Sequence, residues 1–237
     1  VILRRLANSI RKQDWFTVVI ETLIVVFGVY LGLQLGNWNA ARGERAEERE
    51  LVMRLIEDAE ATGQSLEDTI TASGETAQAA ARVHRTMLSG QVEDEAQVAA
   101  DLFKMGPYTG TAFITATLDQ AIASGRIRII RSSALQGDIA AYREAVEGRV
   151  TSIDGLGEMN IDDFKAIHDR FDSDWSAPRK LVTPLDDILA DEIVSRRIGQ
   201  LYNQYQYIHE NHQYSDRFNN EYEAALKDYA REEGWIE

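Results

Sequence analysis

"VSRRIGQLYNQYQYIHENHQYSDRFNNEYEAALKDY", residues 194 to 229, decides the fold class. Val194, Ile198, Leu201, Tyr205, Ile208, His212, Ser215, Asn219, Tyr222, Leu226 and Tyr229 follow one another at alternating steps of four and three. That spacing returns each side chain to one stripe of an α-helix, whereas a strand would need alternation with a period of two. The stripe is a heptad seam and predicts one long helix packed along its length. Its middle third, His212, Ser215 and Asn219, is polar between apolar ends, so buried hydrogen bonds or a wetter, splayed bundle are expected there.

The same period appears elsewhere. From Ser133 to Phe171, Ile139, Tyr142, Val146, Val150, Ile153, Leu156, Phe164, Ile167 and Phe171 recur at helical spacing across Gly148, Gly155 and Gly157. One long helix is expected despite glycines that each cost about 1 kcal/mol relative to Ala. Residues 39 to 90 are dense in helix formers and in Glu/Arg pairs three or four apart. Their seam of Val52, Leu55, Ala59, Thr62, Leu66, Ile70, Ser73, Ala77, Ala80 and Met87 is built from small residues, so this helix should approach its neighbours closely, with a break open at Ser73-Gly74. A shorter helix is expected over 93 to 105, ended by Gly106 and Pro107, then another over "AFITATLDQAIAS", capped by Thr109 or Thr111 and stopped by Gly125. "RIRIIRSS" alternates Arg and Ile from Arg126 to Ile129 and is a candidate extended segment, with "RKLVT" at 179 to 183 as partner. After a loop containing Pro178, Thr183, Pro184 and Asp187 supply an N-cap, a first-turn proline and an acid. The expected fold is all-α: an elongated antiparallel bundle whose three long helices of about 40 residues each span roughly 60 Å.

The N-terminal quarter is different. From Trp15 to Trp38 the only charged residue is Glu21, in "ETLIVVFGVYLGLQLGNW", residues 21 to 38. That length covers roughly 30 Å of hydrocarbon, and no small-x-small cleavage site follows, so a membrane anchor is expected rather than a signal peptide. Trp15 and Trp38 stand where interfacial aromatic belts lie, and Arg11 and Lys12 where a cytoplasmic headgroup contact would be. The chain thus divides into a basic cytoplasmic tail at 1–14, a transmembrane helix at 15–38 and an acidic extramembrane helical domain at 39–237. Four basic residues precede the span and four follow it (Arg42, Arg45, Arg49, Arg54). The first four are the more concentrated, and a long acidic domain translocates regardless of charge, which favours a single-pass bacterial inner-membrane protein with a periplasmic domain.

Within the span Gly28, Gly32 and Gly36 form a small-xxx-small ridge, and Glu21, two turns before Gly28, falls on nearly the same face. A carboxyl in a span either sits near the interface, protonated or snorkelling, or faces a neighbouring helix as a paired or proton-carrying group.

Charge and motifs narrow the function. The chain of 237 residues carries a net charge of −14, with residues 1 to 14 at +3 and the acid concentrated after the span, so nucleic acid is not a partner. It has no cysteine, hence no disulfide, thiolate nucleophile or cysteine-held metal. No phosphate loop, dinucleotide fingerprint, nucleophile elbow or zinc-protease motif occurs. His209 and His212 are one turn apart, yet no Asp or Glu stands three residues before any histidine, so no di-iron signature is present and no metal or cofactor is expected. His212 is expected in the polar seam layer and His209 exposed, with no role for His84 or His168.

The basic tail, the block "ETLIVVFGVYLGLQLGNWNAARGERAEERE" and "FITATLDQAIASGRIRII" together resemble an uncharacterised bacterial family of single-span membrane proteins. The matching positions are Glu21, Asn37, Trp38, Asn39 and Arg42, with Thr117, Leu118, Ser124 and Gly125 in the second block. The resemblance implies an anchor plus a helical domain and brings no activity, cofactor or catalytic residue. The expectation is a non-enzymatic accessory or scaffold subunit whose partners are membrane lipid and another transmembrane protein or a further copy of itself. A proton or ion pathway component using Glu21 and an extracytoplasmic sensor bundle remain the alternatives.

Overall fold

The computed structural model describes residues 15–106, 113–174 and 180–237, with the side chains of residues 15–18 and 153–154 outside that description. Arg11 and Lys12, the Trp15 and Ile153 side chains, the caps Thr109 and Thr111, and Pro178 therefore lie outside the described residues. The chain is mainly helical. In order come α1 (Trp15–Ser89), α2 (Glu95–Lys104), α3 (Ala116–Ala123), a 3-10 turn (Arg126–Ile129), α4 (Ser133–His168), strands β1 (Ser173–Asp174) and β2 (Lys180–Leu181), α5 (Leu185–Ala190) and α6 (Glu192–Glu232). The chain forms two compact units, residues 1–50 and 51–237.

In the first unit, α1 is the one helix among the described residues long and apolar enough to cross a membrane. Its apolar side chains from Val19 to Leu35 are exposed, as is Trp38. The Arg42 guanidinium lies over the Trp38 ring, 5.4 Å from its centroid. Farther on, Arg45 donates to Glu48 at 2.9 Å, a pair one helical turn apart. The expected division at Trp38 marks where apolar composition stops, and Glu50 marks where dense packing begins.

In the second unit the seam of α6 is buried at every position from Val194 to Tyr229, with Asn211 and Ala230 added. Against α4 its contacts pair Tyr142 with Asn219, Arg149 with Asn211, Asn160 with Gln204 and Asp163 with Arg197. One set of numbers rises as the other falls, so the two helices are antiparallel. The same holds against α1, where Ala59 meets Asn219, Ser73 meets His212 and His84 meets Gly199. α1 passes through Ser73-Gly74 without a break. Its glycines allow close approach: a Cβ at Gly74 would lie 3.0 Å from His209 Cε1, and one at Gly63 would lie 3.5 Å from Asn219 Nδ2.

The apolar core is divided. One cluster joins Val52, Leu55 and Ala59 to Ile139, Tyr142 and Val146 and to Tyr222 and Leu226. The other joins Ala77, Ala80 and Val83 to Val98 and Leu102, to Ile167 and to Val194, Ile198, Leu201 and Ile208. Each fully buried Leu or Ile contributes about 1.5–3 kcal/mol.

Local differences from the sequence expectations have identifiable causes. "RIRI" forms a 3-10 turn, because Gly125 at φ 72° stops α3 and reverses the chain before Ser132 caps α4. Lys180–Leu181 is extended, but its antiparallel partner is Ser173–Asp174. Pro184 itself is the cap of α5, while Thr183 Oγ1 accepts from the Asp172 N–H at 2.8 Å. Asp191 then starts α6, its carboxylate accepting from the Ile193 and Val194 N–H groups. Thr115 precedes α3 and its hydroxyl donates to Asp119 at 2.9 Å. On α4, Val150 is exposed although the seam expected it inside, and Asn160 and Asp163 are buried in the lower half.

Candidate functional site

Two groups of residues stand out, one in each unit. On α1, residues seven apart differ by about 20° around the helix and residues four apart by about 40°, so Glu21, Gly28, Gly32 and Gly36 fall within an arc of about 80°. All four are exposed. A Cβ placed on any of the three glycines meets nothing within 4 Å. The backbone is therefore open along this face, where a second helix can approach closely enough for van der Waals and Cα–H···O contact.

The second group is the polar layer of α6, which occupies the interval between the two apolar clusters. His212, Ser215 and Asn219, singled out from the sequence, are all fully buried. Asn219 donates from Nδ2 to the Ala59 carbonyl at 3.0 Å and accepts the Tyr142 hydroxyl at 2.9 Å. One amide thereby ties α6 to both α1 and α4. Tyr142 stacks on Tyr222, ring centroids 3.9 Å apart. Burial pushes the Tyr142 hydroxyl up to about 12, against the weaker effect of a hydrogen bond with Thr62. Burial also raises Tyr222. The hydroxyls of Ser215 and Tyr222 are buried without a hydrogen-bond partner.

One turn earlier on α6, two histidines converge on one hydroxyl. Ser73 Oγ on α1 lies 3.1 Å from His209 Nδ1 and 3.2 Å from His212 Nδ1, and it donates to the Ile70 carbonyl at 3.1 Å. A hydroxyl has one proton and two lone pairs, so these three contacts are satisfied together when both rings carry their proton on Nδ1. The amide nitrogen of Gln213, 3.0 Å from His209 Nε2, asks that ring nitrogen to accept, which fixes the same tautomer. His209 is half-buried against Gly74, not exposed as the sequence suggested, because glycine leaves space for the ring. Burial, assisted by His209, lowers His212 to about 4, so the ring is neutral near pH 7.

Several functional-looking groups were not legible as pairs. Arg82 on α1 holds Asp101 on α2 through two bonds of 2.7 Å, and Gln97 adds a third at 2.9 Å. They border an open cavity of about 280 Å³ with Arg85, Ser89 and Asp94. Asp163 on α4 is bonded by Arg197 and by Gln204 of α6, the latter at 2.7 Å. Asn160 and Asp163 continue the spacing from Leu156 to Ile167, so admitting polar residues to the seam would have found them. Arg149 binds Asn211 and lies over the Tyr214 ring at 4.2 Å. Tyr205, whose hydroxyl burial raises to about 12, donates to the Gly106 carbonyl at 2.7 Å. His84 stacks on Tyr202, and His168 lies between Phe164 and Phe171. Among the described residues no group of three or more acidic or imidazole side chains is placed to hold a metal ion.

The class defined by these features is a mainly helical protein with one candidate membrane-spanning helix near its N-terminus. No family model matches the chain. Comparison with curated proteins and with solved structures likewise finds no match.

Proposed function

We propose that this protein is a membrane-anchored, non-enzymatic accessory or scaffold subunit, docking through the face of α1 that carries Glu21, Gly28, Gly32 and Gly36. The observation that carries the reading is the open backbone along that face, beside a carboxyl set in an otherwise apolar stretch. In lipid there is no hydrophobic drive between helices, so close backbone packing and a polar contact are what select a partner. The occupant of the face is another transmembrane helix or a further copy of α1, with a hydrogen-bond donor or cation opposite Glu21. The acidic remainder would stand in the periplasm as an elongated antiparallel bundle that braces a larger complex in the bacterial inner membrane.

A second reading, a proton or ion pathway component, is favoured by the same carboxyl. Glu21→Gln separates the two: docking predicts a weakened complex with flux unchanged, and conduction predicts intact assembly with flux abolished. Purification from native membrane in mild detergent, followed by identification of co-purifying chains, tests the accessory reading directly. A monomer with nothing attached, together with a Glu21→Gln variant unchanged in assembly and flux, overturns both.

A further inference from the structure

We propose that Ser73, His209 and His212 form an acid-sensitive latch, closing α1 onto α6 at neutral pH and releasing it on acidification. The inference is independent of what docks on the N-terminal face. It rests on three features of residues 51–237. First, two imidazoles from α6 meet one hydroxyl from α1, and the hydroxyl's bonding capacity is filled by neutral rings. A further proton on His212 enters at Nε2 and leaves its Nδ1–H donation to Ser73 in place, so acid acts on the latch through the buried cation rather than by removing that bond. Second, His212 is fully buried, so its cation would lose hydration beside a second imidazole. Third, the latch lies between the two apolar clusters, where the buried positions of α6 are Asn211, His212, Ser215 and Asn219. Opening at this level leaves Val52, Leu55 and Leu226 packed in one cluster and Val83, Ile198 and Leu201 in the other.

Among the described side chains, the charged and titratable groups around the latch are placed as follows. From α4, Arg149 is bound to Asn211 and stacked on Tyr214. From α1, Glu75, two residues past Ser73, is paired with Lys104 of α2. On α6 itself stand His209, exposed Glu210, and Asp216, which accepts from Asn220. His212 has its ordinary pKa when unfolded and about 4 when folded, so the latch is fully stabilising above about pH 6.5 and weakens as pH falls toward 4. At about pH 5 the expected shift toward the open state is roughly 30-fold.

The test uses the full chain in lipid discs. Backbone hydrogen exchange, corrected for the intrinsic pH dependence of exchange, is followed at about pH 7.5 and about pH 5 in wild type and in His212→Gln. In wild type, segments 66–76 and 206–216 should lose roughly 30-fold of their protection, while 52–59 and 222–230 keep theirs. His212→Gln should show no such pH-dependent loss. Equal protection at both pH values in wild type, or the same loss in the variant, overturns the proposal. If His212→Gln does not fold, an imidazole titration of the wild-type chain decides: a His212 midpoint below about 5.5 supports the latch, and one at or above it refutes it.

Discussion

Asn219 is a single amide bonded to two other helices, and removing it gives a quantitative test of how the polar layer holds α6. In Asn219→Leu the shape is nearly kept, but the bond to the Ala59 carbonyl and the one from the Tyr142 hydroxyl disappear. Each is worth about 1 kcal/mol net. The Tyr142 hydroxyl is not stranded, because Thr62, which donates to the Asp58 carbonyl and accepts from the Ile114 N–H, keeps a second lone pair for it. Burying leucine offsets about 1–2 kcal/mol, leaving a net loss of at most about 1 kcal/mol. Tyr142→Phe alone leaves the Asn219 carbonyl oxygen unpaired and should cost about 1–2 kcal/mol. The double variant replaces both partners with apolar groups, so its loss should fall below the sum of the singles by at least about 1 kcal/mol. Urea unfolding of the full chain in mild detergent, followed by circular dichroism, measures all four corners of the cycle, with an unchanged slope as the control. Effects that add to within about 0.5 kcal/mol would refute the bridging role.

Other perturbations separate structural from incidental residues. Gly148→Ala and Gly155→Ala lie within α4 with nothing within 4 Å of the new Cβ, so each should raise stability by about 0.5–1 kcal/mol in thermal unfolding. Gly74→Ala gains the same helix propensity but displaces the His209 ring, so His209 should lose its Ser73 bond, seen as a change in its imidazole nuclear magnetic resonance shifts. Gly125→Ala must hold φ near 72° and should lose about 1–2 kcal/mol by the same unfolding assay. Arg82→Met leaves the buried Asp101 carboxylate with Gln97, and because the Arg82 side chain is 41% exposed the cost is about 1–3 kcal/mol. Asp101→Asn should cost less, since Arg82 can rehydrate; midpoints in the reverse order would sink that account.

Periodicity identified α4, α6, the part of α1 after Trp38 and the buried stripe from Val194 to Tyr229, and composition the apolar stretch ending at Trp38; the structure joins the expected helices at 15–38 and 39–90 into one, α1. The periodic elements follow from local chain geometry, because a helix repeats every 3.6 residues whatever surrounds it. The apolar rule worked less well on α4, where Val150 is exposed and Asn160 and Asp163 are inside. A seam position takes whatever its neighbours can satisfy, and Gln204 and Arg197 satisfy a carboxylate. Turn chemistry likewise depended on context, as in the 3-10 turn at Arg126–Ile129 and the cap at Asp191.

What only the tertiary structure decided is which polar groups meet. His212, Ser215 and Asn219 could be read as a polar layer from α6, but not that Ser73 lies between His209 and His212, or that Ala59 and Tyr142 take the two ends of one amide. Those partners are up to 160 residues apart in sequence, and helix periodicity carries no information about register between helices. Register is set by where Gly63 and Gly74 let α1 approach and where the two apolar clusters lock, and these are properties of the packed chain.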